Sequence, residues 1–211
     1  MKHPETNQTE TDPWKISDAF AKYYAQLYKS QDKEFKEERI SDFLKPLNMN
    51  KLTTDEASKL VEPIREEEIK ETITKLKNNK SPGVDGFAGE YYRAFINDLS
   101  PILCRVYNDV LNTGDPPQSW SEAIITVLHK EGKDPLQCTS YRPISLLCVD
   151  YKILTSILAT RVQHHLKKLI KADQTGFISG RQGTNNVRRA LNLQSIAAKD
   201  KQPSMLSQPR C

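Results

Sequence analysis

Arg142 stands directly before Pro143 in "SYRPISLL", and the proline biases it towards an extended backbone that holds its side chain on one side of the chain. Its guanidinium stays charged and offers a fork of donors matched to phosphate oxygens. Lys130 and Lys133 precede it in "LHKEGKDP", and Arg181 follows among Gly176, Gly180 and Gly183 in "DQTGFISGRQG". Lysine adds a mobile point charge, and glycine lets a second backbone come close. Together these residues suit gripping a triphosphate or a nucleic-acid backbone. Taken singly, each is more often a surface residue in a salt bridge.

The elements that must position them are legible from the periodicity. "AIITVLHK" and "YRPISLLC" read as strands, and the polar connection "EGKDPLQCTS" between them makes a hairpin. Asp150 is placed to cap a long helix with Leu154, Ile157, Leu158, Val162, Leu166 and Leu169 inward. A glycine-rich loop follows, then a helix over about Val187 to Ala198. Upstream, Phe20, Tyr23, Tyr24, Leu27 and Tyr28 recur at helical spacing and form a packing face. Thr53 with Glu56 is a capping box, and Pro63 ends the short helix that it opens. In the next helix Glu66, Glu67 and Glu68 come early while Lys75, Lys77 and Lys80 crowd the end, an order that suits the helix dipole. "NKSPGVDG" is a pronounced turn in which Asp85 has an Asx role. A helix around Glu90 to Ile96 precedes another, for which Ser100 and Pro101 supply the cap and first turn. Residues Met1 to Pro13 are polar and aperiodic, so disorder is expected there.

The net charge of +4 over 211 residues conceals an asymmetry. Up to Glu122 there are 17 Lys+Arg against 22 Asp+Glu; the remaining 14 against 5 leave the later part at +9. A basic surface of that kind is the usual footprint of polyphosphate contact, although it also arises for solubility. No apolar run approaches the roughly 20 residues that span a bilayer, and no hydrophobic signal core opens the chain, so no membrane partner and a cytoplasmic or nuclear location are expected. The four cysteines show no CxxC pairing and read as reduced thiols.

The ordered succession "NNKSPGVDGFAGEYY", "AIITVLHKEGKDP", "YRPISLLCVDYKILTSILATRVQHHLKKLI" and "DQTGFISGRQGTNNV" resembles reverse transcriptases of LINE-type, non-LTR retrotransposons. The resemblance runs from about Ile16 to Met205 and covers the amino-terminal extension and the fingers region. It implies an α+β fold: a mostly helical amino-terminal extension plus a fingers subdomain, a β-hairpin with helices, of a right-hand polymerase whose palm is missing. The domains it implies are a disordered tail over 1–15, a helical linker region over 16–58, a partial reverse transcriptase domain with the fingers and the start of the palm over 59–206, and a non-family tail over 207–211.

By the same resemblance Arg142 grips the incoming nucleotide's triphosphate, with Lys130 as helper. Gln174, Gly176, Phe177, Gly180 and Arg181 lie against the nucleic acid, and Gly83 and Gly86 turn near the template path. Its partners are an RNA template or RNA/DNA hybrid and a deoxynucleotide. The complete family enzyme uses magnesium held by palm carboxylates. Here no Asp or Glu follows Asp200, no Asp-Asp dipeptide occurs, and Asp150 and Asp173 fall at cap and loop positions. The resemblance therefore implies a truncated RNA-directed DNA polymerase domain that binds no metal cofactor and catalyses nothing alone, with apolar surface left uncovered. The alternatives are a non-enzymatic RNA- or DNA-binding protein derived from a retrotransposon, and a relic without a selected role.

Overall fold

The computed structural model describes residues 1–6, 8–29, 37–47 and 50–200; the expected 207–211 tail lies outside them. The architecture is α+β, with eight α-helices and one two-stranded antiparallel sheet among the described residues. It divides into two compact units, the first drawn from residues 1–47 and 63–156 and the second from 50–62 and 157–200. No helix among the described residues is long and apolar enough to cross a membrane.

In the first unit the hairpin forms as the alternation predicts, with β1 (Ile124–His129) antiparallel to β2 (Tyr141–Leu146). Its register pairs Leu128 with Arg142 and Val127 with Pro143. Successive side chains point to opposite faces, so Arg142 shares a face with Leu128, Ile144, Ile124 and Leu146. The other face carries Ile125, Val127, Pro143 and Ser145 and lines a groove with α1 (Pro13–Leu27). Asp12 caps α1 by accepting from the Trp14 and Lys15 N–H groups. Phe20 meets the Tyr141 ring edge-on at 5.1 Å, so the expected aromatic face does pack, although Leu27 and Tyr28 remain exposed. After α1 comes the short α2 (Glu37–Leu44).

The first residues, expected to be disordered, instead make a turn against this layer. The Met1 ammonium donates to the Glu10 carbonyl at 2.8 Å, and the Lys2 N–H donates to the Leu136 carbonyl at 2.7 Å. Met1 is buried with Ala19 and Cys138. Backbone pairing and one apolar terminus suffice for this, and neither shows in composition.

The main core of this unit lies among α4 (Glu66–Thr74), α5 (Gly89–Ala94), α6 (Ile96–Thr113) and the start of α7 (Val149–Leu169). Ile69, Ile73, Tyr92, Leu103, Tyr107 and Ile153 are buried there. Two expected boundaries differ. Ser100 and Pro101 do not start α6; the helix begins at Ile96, so Pro101 is internal and the Ser100 hydroxyl donates to the Ile96 carbonyl. And α4 stops at Thr74 with Lys75 as its C-cap, which leaves Lys77 and Lys80 beyond the helix rather than at its end.

The second unit holds α3 (Thr54–Leu60), the later part of α7 and α8 (Thr184–Asp200). The capping box is present: Glu56 accepts from the Thr53 N–H at 2.8 Å, and the Thr53 hydroxyl accepts from the Glu56 N–H. Lys168 on α7 donates to Glu56 at 2.6 Å, and Arg161 reaches the Leu60 and Glu62 carbonyls.

Candidate nucleotide and nucleic-acid site

Arg142 is exposed on the open face of the hairpin, and no carboxylate among the described residues lies within ion-pair distance of it. Flanking side chains on that face, Leu128 and Ile144, are exposed too. A guanidinium raised on an apolar strand surface keeps its full hydrogen-bonding capacity for an anion. Lys130 is differently placed. It follows β1, its N–H donates to the Ser140 carbonyl, and its ammonium donates to the Thr139 carbonyl at 2.8 Å. Its charge is thereby held close to the hairpin connection, where Gly132 turns with φ 72°.

The glycine-rich loop belongs to the second unit, and its arginine has an internal task. Arg181 donates to four carbonyls, those of Lys167, Ile170, Lys171 and Gln174, at 2.6 to 3.3 Å. These include the carbonyls left unpaired where α7 ends, so the guanidinium works as a C-terminal cap made from a distance in sequence. Gln174 turns back to the Gly176 carbonyl at 3.2 Å. Asn186 binds the Asp173 carbonyl and the Thr175 hydroxyl, and Arg189 pairs with Asp173, which ties the loop to α8. Phe177 is the loop's outward group: fully exposed, with a left-handed φ of 61°, near Gly180 at φ 76°. An aromatic ring held out in this way offers a stacking surface for a base.

A third grouping escaped the sequence. Ligand atoms of Asp85, Cys148 and Asp150 lie within 4.8 Å of one another. Gly83 makes this possible, because its backbone packs onto Leu147 and Cys148, just ahead of α7, where a Cβ would meet the Cys148 nitrogen at 2.4 Å. Asp85 has the Asx role expected of it, accepting from the Phe87 N–H at 3.1 Å. Asp150 does not cap α7 as predicted: the helix begins at Val149, and Asp150 sits in its first turn. Its carboxylate accepts from the Trp120 indole at 2.8 Å and from the Tyr151 N–H at 2.7 Å, while the Tyr107 hydroxyl donates to its carbonyl at 2.7 Å. Burial, foremost, pushes the Cys148 thiol up, and it does the same to the Tyr92 and Tyr107 hydroxyls.

This donor set does not fit magnesium. Magnesium takes oxygen ligands in near-octahedral array with several waters, whereas one member here is a buried thiol, a soft ligand, and another a carboxylate already engaged by an indole and an amide. The arrangement instead locks the "SPGVDG" turn to the start of α7. Among the described residues Cys104, Cys138 and Cys148 are free thiols.

Residues 128–208, which include β2 and the glycine-rich loop, match the family of reverse transcriptases (RNA-dependent DNA polymerases). Over 129 residues, 61% of the chain, it is 33% identical to the transposon TX1 uncharacterized 149 kDa protein of Xenopus laevis. Similar stretches are 34% identical to the probable RNA-directed DNA polymerase from transposon BS and 32% identical to that from mobile element jockey, both of Drosophila melanogaster. They cover 61% and 64% of the chain. The alignments span only 10%, 14% and 15% of the three relatives. In the part of its length so matched, the chain is similar to reverse transcriptases, among them RNA-directed DNA polymerases of LINE-like, non-LTR elements.

Proposed function

We propose that the chain supplies the fingers part of a non-LTR retrotransposon reverse transcriptase, in which Arg142 grips the triphosphate of an incoming deoxynucleotide. The observation that carries this reading is the free guanidinium of Arg142 on the open face of the hairpin, inside the family-matched stretch. Lys130 adds charge from the end of β1. Gln174, Gly176, Phe177, Gly180 and Arg181 make the surface for an RNA template or RNA/DNA hybrid, with Phe177 as the stacking ring and Arg181 as the residue that holds the loop. Cytoplasmic or nuclear residence goes with this reading.

Magnesium, when bound in a complete polymerase, supplies charge neutralisation and alignment at the reacting phosphate. These residues do not provide its seat, since the chain has no Asp-Asp pair and the Asp85–Cys148–Asp150 cluster has the wrong donors. The chain alone therefore binds nucleotide and nucleic acid without joining nucleotides. The test is equilibrium binding of a labelled deoxynucleoside triphosphate to the wild type and to Arg142→Ala, paired with primer extension on an RNA template. Binding should weaken at least tenfold in the variant, with no extension by either protein. Undiminished binding in the variant would remove Arg142 from the site, and extension that survives repurification would remove the claim of inactivity.

A further inference from the structure

Lys77 and Lys80, left beyond α4, line one recess together with Lys152 on α7. The three surround a recess of about 340 Å³ that Ser81 also lines, with Leu76 and Leu146 among its apolar lining. The recess lies at the small end of the range of ligand pockets. Among the described residues none of the three lysines has an ion-pair partner, whereas Lys70 and Lys75 on the same stretch are paired with Glu66 and Glu71. The nearby acids are occupied: Glu90 accepts from the Asn79 N–H at 2.7 Å, and Asp150 faces Trp120. Val149, where α7 begins, adds the positive end of that helix. Three lysines without an ion-pair partner and a serine thus line one partly apolar hollow, a local excess of positive charge suited to an anion.

Leu146 also fixes where this hollow lies on the hairpin. It is four residues along β2 from Arg142 and on the same face, so the two are roughly 13 Å apart on one continuous surface. We infer that the recess is a phosphate subsite for single-stranded nucleic acid, taking a backbone phosphate between Lys77, Lys80 and Lys152 and resting the sugar or base on Leu76 and Leu146. This rests on the proposed nucleic-acid-binding function and adds a place for the strand that Arg142 does not itself provide.

The experiment measures binding of a fluorescent single-stranded RNA oligonucleotide across a salt series. It compares the wild type, Lys77→Gln/Lys80→Gln, the triple variant that adds Lys152→Gln, and a charge-matched control, Lys59→Gln/Lys70→Gln/Lys75→Gln, whose lysines are already ion-paired. Every backbone phosphate that the protein no longer neutralises lowers the slope of log K against log salt by about 0.7 for a single strand. With one phosphate held in the recess, the triple variant should therefore lose about 0.7 of that slope and the double variant most of it, while the control keeps the wild-type value. Equal changes in recess variants and control would overturn the subsite, as would wild-type slopes in the recess variants. Inorganic triphosphate is the second probe; if it binds with the same lysine dependence while the oligonucleotide does not, the ligand is a free phosphate and the strand assignment falls. Loss of nucleotide binding in Arg142→Ala beside intact RNA binding in the lysine variants would sink the recess and leave the proposed function standing.

Discussion

Gly83 and Gly86 lie in one turn but do different jobs, and substitution separates them. A Cβ at Gly83 would collide with the backbone of Cys148, which no rotamer change relieves, whereas Gly86 has open space and only its φ of 76° to protect. Gly83→Ala should cost about 1–3 kcal/mol or more by overpacking, and Gly86→Ala about 1–2 kcal/mol for the left-handed backbone. Denaturant titration of both variants checks this: Gly83→Ala should have the lower midpoint, and the reverse order would contradict the close packing. The Asx role of Asp85 was legible because its acceptor and donor are two residues apart. Its proximity to Cys148 and Asp150 was not, since that depends on two distant segments meeting through a glycine that only the fold identifies.

The elements themselves were largely written in the periodicity. The hairpin, the Thr53–Glu56 box and the helices around 149–169 and 184–200 follow apolar spacing and local capping, both of which act within a few residues. Boundaries went astray where a local signal competed with packing: Ser100–Pro101 is a good helix start, yet α6 opens one turn earlier, beside α5. Nor could spacing show that Arg181 closes α7 from across a loop. With four acceptors for one guanidinium, Arg181→Ala should destabilise the second unit by about 2 kcal/mol. Hydrogen exchange would then rise at amides around Lys167 to Gln174. If RNA binding instead falls with exchange unchanged, the arginine meets nucleic acid directly.

The link between α3 and α7 should depend on acidity. The Lys168 ammonium, foremost, and then the Thr53 N–H hold the Glu56 carboxyl down to about 2 from an ordinary 4.5. A depressed carboxylate contributes stability that is complete above the ordinary value and fades as pH drops from about 4.5 through about 2. The stability gap between wild type and Glu56→Gln should shrink across that window and stay constant above it. Chemical denaturation at a series of pH values measures it, and a gap independent of pH would remove the pair's role.

At the scale of the molecule, apolar surface and charge are the two unfinished matters. Val187, Leu191, Leu193 and Ile196 on α8 are each more than half exposed, as is Leu128 on the hairpin. On α8, Val187 and Leu191 lie one turn apart on one side, and Leu193 and Ile196 lie one turn apart on another, so apolar pairs stand open to solvent. The chain should bind a hydrophobic dye under native conditions, and Val187→Lys/Leu191→Lys should reduce that signal severalfold; no dye binding by the wild type would count against the open face. From the family pattern the sequence placed uncovered apolar surface on the hairpin and the long helix; that α8 also bears it was not legible, because exposure is a property of neighbours. The polarity of charge along the chain, by contrast, needed only counting.

The pairing of Leu128 with Arg142 has one more consequence. Side chains along a strand obey an odd and even parity, so deleting a single residue from β2 ahead of position 142 would turn the arginine inward towards the α1 groove and bring a neighbour outward in its stead. A frame-preserving loss of one codon there would thus disarm the hairpin as thoroughly as replacing the arginine, while leaving every charged residue in the chain intact.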